Sequence, residues 1–289
     1  MATILDGRAV AKEIRAEVAR EVAALGEQGV PVRLDVVLAS HDAASATYVA
    51  MKRRDCEEVG IVSEVHRFDE SVTQERLSDL VDELNADGRV SGFFLQLPLF
   101  GHLDPVPLTS AIDPAKDVDG LTPLSAGNLA VGLPALLPCT PHGVVQLLKR
   151  SSIEPEGAHA VVVGRSNLVG RPLAQLLLRE NATVTVCHSR TRDLAQMTRQ
   201  ADILVVAAGR REMVGAEHVR EGAVVVDVGI HRAEEAEGGL TGDVRFREVE
   251  PKASYITPVP GGVGPMTRAM LLHNTLQAAK MQRAGDRPR

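Results

Sequence analysis

Cysteine is scarce in this 289-residue chain: Cys56, Cys139 and Cys187 stand far apart and form no CxxC pair. That spacing argues against a disulfide framework or a close-set metal site, and it reads as reduced, cytoplasmic thiols with structural roles and no bound metal. Long apolar runs are missing too, none approaching the ~18 to 20 residues that cross a bilayer, so no membrane association is expected. Nor is basic charge in excess, since 32 Lys and Arg against 38 Asp and Glu leave a formal charge of -6. With no basic block to follow a phosphate backbone, nucleic acid is not an expected partner. The opening MATILDGRAVAKEIRAEVAREVAAL mixes acids and bases throughout and does not read as a signal peptide. What is present is 44% hydrophobic and 24% charged residues, ordinary for a soluble globular protein with room for two domains.

Periodicity organises the first half as alternating helix and strand. Val10, Ile14, Val18, Val22 and Leu25 recur at spacings of four and three behind Asp6, a candidate N-cap, and predict an amphipathic helix. LDVVLA (34–39) predicts a buried strand, TYVAMKRRDCEEV a helix ending at Gly60, IVSEVHRF a strand, and Leu77, Leu80, Val81 and Leu84 a further helix. Val90 to Gln96 predicts a third strand running into Pro98. Between Gly101 and Pro141 the pattern lapses into a Pro- and Gly-rich stretch, too long for a plain connection. HGVVQLLKR predicts a joining helix, and HAVVVG, TVTVCH, DILVVAA and AVVVDVG predict four strands separated by helix-length segments, a doubly wound parallel α/β sheet. TRAMLLHNTLQAAKM is helical again and is expected to pack back on the first half.

The stretch VVVGRSNLVGRP (161–172) lacks the glycine a dinucleotide fingerprint usually has at its second position: Gly164 is followed by Ser166, and Gly170 comes one step late. A strand before it and a helix after it supply the context of a nucleotide loop, where backbone N–H groups and a helix N-terminus face a pyrophosphate. A tight strand-to-helix turn of some other α/β protein is the competing reading. A second absence bears on the cofactor. The next strand ends in His188, Ser189, Arg190 and Thr191, with no carboxylate where an NAD site holds the ribose hydroxyl. Hydroxyls and a guanidinium there, with Arg165 in the first turn, favour NADP, although Arg190 can also be read as a solvated surface charge and His188 as packing.

Tyr48 and Lys52 lie four apart on a predicted helix and leave the same face. Gln96 ends a parallel strand, where open α/β sheets place their ligands, and Asp119 sits in the long loop. Together these groups suit a polar heterocycle and a proton transfer. Singly, each has an ordinary structural reading.

SATYVAMKRRDCEEVGI, FLQLPL, KDVDG, PCTPHG, VVGRSNLVGRP, DVGI and ITPVPGGVGPMT occur in this order. In combination they closely resemble the bifunctional methylenetetrahydrofolate dehydrogenase/methenyltetrahydrofolate cyclohydrolase family. The resemblance implies two α/β domains around a cleft, a folate-binding catalytic domain (1–141 with 265–289) and a Rossmann-type NADP-binding domain (142–264). It implies a homodimer, and the family's substrate and catalytic positions at Tyr48, Lys52, Gln96 and Asp119. NADP is implied on Gly164, Arg165 and Ser166, with Ser189 and Ile230 nearby, and Pro260, Gly261 and Gly262 in a loop approaching both ligands. The chain departs from the family's frequent residues at His41, Phe100, Thr122, Ser125 and Asn128, all at the expected mouth of the folate site. Alternatives are a member with one of the two activities, an NADP oxidoreductase for another small substrate, and a nucleotide-binding regulator without catalysis.

Overall fold

The computed structural model describes residues 1–232 and 239–284. The chain opens with β1 (Thr3–Ile4), α1 (Gly7–Glu27), β2 (Arg33–Leu38), α2 (Ala43–Val59), β3 (Val62–Arg67), α3 (Gln74–Ala86) and β4 (Gly92–Leu95). Three helices follow, α4 (Pro105–Ser110), α5 (Pro123–Val131) and α6 (Cys139–Arg150). Next come β5 (His159–Val163), α7 (Gly170–Arg179), β6 (Thr183–Cys187), α8 (Leu194–Thr198), β7 (Ile203–Val206) and β8 (Val224–Asp227). The last elements are β9 (His231–Arg232), β10 (Leu240–Thr241), α9 (Phe246–Val249), β11 (Tyr255–Ile256) and α10 (Val263–Ala284).

The chain divides into two compact units, one of Glu13–Cys139 with Arg268–Arg289, the other of Met1–Lys12 with Thr140–Thr267. The expected domains differ from these chiefly in the first twelve residues, which go with the nucleotide-type unit. The reason is backbone pairing: β1 lies parallel to β11, and Leu5 N–H reaches Ile256 O at 2.8 Å. The end of the expected 265–289 segment, 285–289, lies outside the described residues.

In the first of these units β2 is the centre of a three-stranded parallel sheet in the order β3-β2-β4. One face carries Val37, Phe93 and Leu95 into a core with Leu77, Leu80, Val81 and Leu84 of α3. The apolar spacing that predicted α3 is its buried stripe. Two short helices stand in the stretch read as irregular. Each starts on a proline just behind a capping residue: Asp104 accepts the Val106 N–H and Thr122 that of Ser125. Proline at the first helical position loses no needed hydrogen bond and has the right φ, so the pairs Asp104-Pro105 and Thr122-Pro123 were helix starts that looked like breakers. From α10, Asn274 donates to the carbonyls of Val118 (2.8 Å) and Leu137 (2.7 Å), and Gln282 to that of Ser91 (2.6 Å). The last helix therefore does pack back on the first half.

Asp35 is fully buried in the middle of β2. Burial, the strongest influence, favours its neutral form. Hydrogen bonds from His66 Nε2 (2.7 Å) and Arg33 (2.7 and 2.8 Å) outweigh it and hold the carboxyl below its ordinary range. His66 is raised above its ordinary 6.5, first of all by the same bond to Asp35. A histidine that binds its proton more tightly folded than unfolded adds stability fully present below the unfolded value and lost as pH rises through the folded one. His66→Asn is expected to flatten the fall in the urea midpoint between about pH 6 and pH 8. Parallel midpoint curves for the two proteins would exclude this role.

The other unit is a six-stranded sheet in the order β1-β11-β8-β7-β5-β6, parallel throughout. Its four predicted strands gain β1 and β11 at one edge. These have two residues each, too few for a period-two signal. Val161, Val163, Leu204, Val206 and Val225 fill one face of the sheet, the near-continuous apolar runs that a sheet covered on both sides requires.

Candidate functional site

Helix α2 is held near both ends within its unit. Asp42 accepts the N–H (2.8 Å) and the hydroxyl (2.7 Å) of Ser45, and Arg268 of α10 lies 3.3 Å from Asp55. One turn apart on this helix are Tyr48, 42% exposed, and Lys52, half-buried. The Lys52 amine donates to Gln96 Oε1 at 3.2 Å and stands 3.9 Å from the centre of the Phe94 ring. An amide acceptor and an aromatic face are both attractive to an ammonium, so two contacts fix where the long side chain ends. Phe94 was not among the expected site residues. The strand period contains the signal: in GFFLQ, Phe94 and Gln96 share one face while Phe93 and Leu95 point to the core on the other. Gln96 also donates to Leu97 O at 2.9 Å, which orients its oxygen toward the lysine.

Of the two acids in KDVDG, Asp117 is structural. It is buried, and its oxygens accept the N–H groups of Leu121 (3.1 Å) and Thr122 (2.8 Å). Asp119 is half-buried and takes a different environment. Burial raises its carboxyl above the ordinary range. The Lys52 charge opposes that shift, the Asp117 charge adds to it, and the Cys139 thiol, 3.8 Å from Oδ1, is a weak donor to it. Burial likewise pushes the Cys139 thiol well up, with Asp119 adding to the effect. Lys52, Gln96 and Asp119 are thus brought into one electrostatic group, with Tyr48 a turn away on the same helix. The departures at Thr122, Ser125 and Asn128 are buried, and the first two contact each other. Thr122 caps α5, its hydroxyl donates to Ser125 Oγ at 3.0 Å, and Asn128 donates to Pro134 O at 3.4 Å. They build the α5 turn. His41 packs edge-on against Phe100 with ring centres 4.8 Å apart.

In the six-stranded unit, register brings the two halves of the expected cofactor site side by side. Val163 of β5 pairs with Cys187 of β6, and Gly164 N–H continues the ladder to Cys187 O at 2.9 Å. The turn Gly164–Ser166 therefore adjoins the turn His188–Arg190. Gly164 has φ +133°, and a Cβ there would collide with the Ala207 carbonyl; one on Gly170 would strike Gly164 itself. Both glycines serve close backbone packing. The Ser166 hydroxyl accepts the Val169 N–H at 3.1 Å, so its oxygen caps the turn while its O–H proton is still able to donate. His188 is structural: its N–H reaches Thr191 Oγ1 at 2.8 Å and its Nδ1 accepts the Arg190 N–H at 3.1 Å. Ser189, Arg190 and Arg165 are exposed. Asp193, the next acid along the chain, caps α8 by accepting the Gln196 N–H at 3.0 Å. Two guanidiniums and a hydroxyl fit a ribose phosphate.

Ile230 is 48% exposed, and its Cδ1 lies 3.8 Å from where a Cβ of Gly264 would be. The loop of Pro260, Gly261 and Gly262 packs on the start of α1. A Cβ on Gly7 would overlap the Gly262 carbonyl, and one on Gly261 would meet the Arg8 guanidinium. These glycines admit neighbouring protein as closely as they were expected to admit a ligand.

A family profile described as tetrahydrofolate dehydrogenase/cyclohydrolase, catalytic domain, matches residues 5–119, and one described as the NAD(P)-binding domain of the same family matches residues 138–283. The chain belongs to this family. It is 72% identical over 282 residues to the bifunctional protein FolD 1 of Rubrobacter xylanophilus, covering 98% of this chain and 99% of that protein. The solved structure of the bifunctional dehydrogenase/cyclohydrolase FolD from Campylobacter jejuni superposes with a TM-score of 0.95 at 48% identity, covering 98% of this chain and all of that one. The Trypanosoma brucei family member, solved with NADP cofactor and inhibitor, superposes with a TM-score of 0.91 at 40% identity over 98% of each chain. Family membership also accounts for the two-unit α/β architecture with a dinucleotide-type parallel sheet.

Proposed function

We propose that this chain oxidises 5,10-methylenetetrahydrofolate to the methenyl form with NADP and hydrolyses that product to 10-formyltetrahydrofolate. The observation that carries the reading is the Lys52 amine held between Gln96 and Phe94 (3.2 and 3.9 Å), with its charge acting on Asp119. A carboxylate only accepts hydrogen bonds, which suits Asp119 to the N–H donors of a pterin. Tyr48, exposed beside Lys52, is placed to stack on or hydrogen-bond the folate. Gln96 orients Lys52, and the Lys52 amine, once it has given up its own proton, takes the proton from the water that attacks the bridge carbon in the hydrolytic step.

Gly164, Arg165 and Ser166 with Ser189, Arg190 and Ile230 hold NADP in this reading, and Pro260, Gly261 and Gly262 form the loop on the substrate side. Bound NADP supplies the hydride acceptor. The reading extends to a homodimer in the cytoplasm. The outer edge of β3, which among the described residues pairs only with β2 and leaves Val62 55% exposed, supports a partner chain, and the three free, buried cysteines support a reducing compartment. Among the described residues no helix is long and apolar enough to cross a membrane.

The test is purified protein with methylenetetrahydrofolate and NADP, following NADPH and the methenyl absorbance together, in wild type and in a Ser189→Ala/Arg190→Ala variant. Wild type is expected to form both species in sequence. The variant is expected to lose about tenfold or more in kcat/KM for NADP and little for NAD, because a charge-assisted hydrogen bond contributes ~1.5 to 3 kcal/mol. Equal losses with the two cofactors would count against the phosphate contacts, and no NADPH in wild type would count against the activity.

A further inference from the structure

A buried acid pair with a histidine lies beneath the cofactor end of the six-stranded sheet, and none of the roles above uses it. Asp243 is fully buried. Its Oδ2 accepts the N–H groups of Ala208 (2.7 Å) and Gly209 (2.9 Å), in the turn that leaves β7. Its Oδ1 is 2.7 Å from His231 Nε2, just after β8; since a carboxylate only accepts, the imidazole donates. Asp227, at the end of β8, accepts from Gly229 (2.9 Å), Asp243 (3.0 Å) and Val244 (2.9 Å). Gly229 and Gly242 leave no room for a Cβ, because Asp243 and Asp227 respectively fill that space. One side chain, Asp243, thus ties together the turns after two adjacent strands.

These turns stand where an open α/β sheet presents its ligand, at the carboxyl ends of the strands. The β7 turn touches the fingerprint turn directly: Ala207 N–H reaches Val163 O at 2.8 Å, and the Ala207 carbonyl occupies the space beside Gly164 that a side chain would take. The β8 turn ends in Ile230, one residue before His231. Oriented backbone held by a buried carboxylate is rigid without adding bulk to the binding surface. We infer that Asp243 and His231 are positioning residues for NADP, fixing the 207–209 and 228–230 turns in the shape the cofactor needs. The inference rests on the proposed placement of NADP at Gly164 and Ile230.

Hydrolysis of added methenyltetrahydrofolate uses no NADP, and this separates positioning of the cofactor from general damage. His231 is only partly buried, its side chain 23% exposed, so His231→Ala leaves the core intact. The expected result is an NADP Kd, measured by calorimetry on the folate-free protein, weakened about tenfold, the scale of one lost charge-assisted hydrogen bond. The hydrolysis rate without NADP is expected to stay within about twofold of wild type. His231→Gln, which keeps a donor, should recover most of the affinity. Asp243→Asn, with the melting temperature recorded, should weaken NADP at least as much as His231→Ala. An NADP Kd unchanged in His231→Ala, or hydrolysis falling in step with NADP binding, would overturn the inference. Wild type that fails to bind NADP would instead overturn the placement on which it rests.

Discussion

Lys52→Met is expected to lower the hydrolysis of methenyltetrahydrofolate at least ~10²-fold, the usual scale for losing a general base. Methionine keeps an unbranched apolar stem that can still lie on the Phe94 ring, so the packing of α2 on β4 survives while the amine and its 3.2 Å bond to Gln96 are lost. The two steps depend on that amine unequally. Hydride leaves the methylene bridge without any protein group accepting a proton, whereas water attacking the methenyl bridge must shed one. Dehydrogenase activity should therefore fall less, and methenyltetrahydrofolate should accumulate in the absorbance time course at saturating NADP. A Gln96→Leu variant, which leaves the amine without its orienting acceptor, should shift the balance in the same direction by a smaller factor. If Lys52→Met hydrolyses added methenyltetrahydrofolate at the wild-type rate, the lysine is not the base, and its contacts with Gln96 and Phe94 are only packing.

Asp119→Asn is expected to raise the folate KM about tenfold or more and to depress both activities together, since a hydrogen bond to a charged group contributes ~1.5 to 3 kcal/mol. The amide keeps the size but presents a donor where the pterin also donates. The protein without ligand should not suffer. Burial raises the Asp119 carboxyl, so the ionised group lowers folded-state stability at neutral pH, and that penalty declines as pH falls through the folded value. The asparagine variant should therefore melt at least as high as wild type near neutral pH while binding folate poorly, the pattern of a residue kept for function at some expense of stability. Calorimetry with folate and a melting curve on the same sample decide it. Equal folate affinity in the two proteins would remove Asp119 from the site. A lower melting temperature accompanied by weak binding would indicate that the residue serves the fold.

Much of this architecture is legible in the chain because it is written in local periods. The spacing of Leu77, Leu80, Val81 and Leu84 is the buried face of α3, the run Ile203 to Val206 is a strand covered on both sides, and Gly170–Arg179 is the helix after the fingerprint turn. Tyr48 and Lys52 were paired by the helical repeat alone. The strand period of two, applied to β4, would have added Phe94 beside Gln96. Proline misled where it opened α4 and α5, since the residue that breaks a helix interior also suits its first turn.

Other features depend on partners distant in sequence, and no local pattern carries them. The pairing of β1 with β11 joins residues about 250 positions apart, and each strand is too short to announce itself. Which acid of KDVDG is structural was undecidable from the string: Asp117 turns inward to hold Leu121 and Thr122, which leaves Asp119 as the proposed ligand contact. The glycines of PVPGGVGPMT were legible as sites of close approach, but only the folded chain showed Gly7 and Arg8 making that approach. Asp227 opens the string DVGI, but its grouping with Asp243 and His231 is not legible there, because their common centre arises where the ends of β7 and β8 meet the returning chain. The sequence by itself determined most of the long helices and strands, the family and the candidate residues for folate and NADP. Tertiary structure decided which polar groups are spent on the protein's own backbone, because a buried donor or acceptor must find its partner wherever the fold brings one.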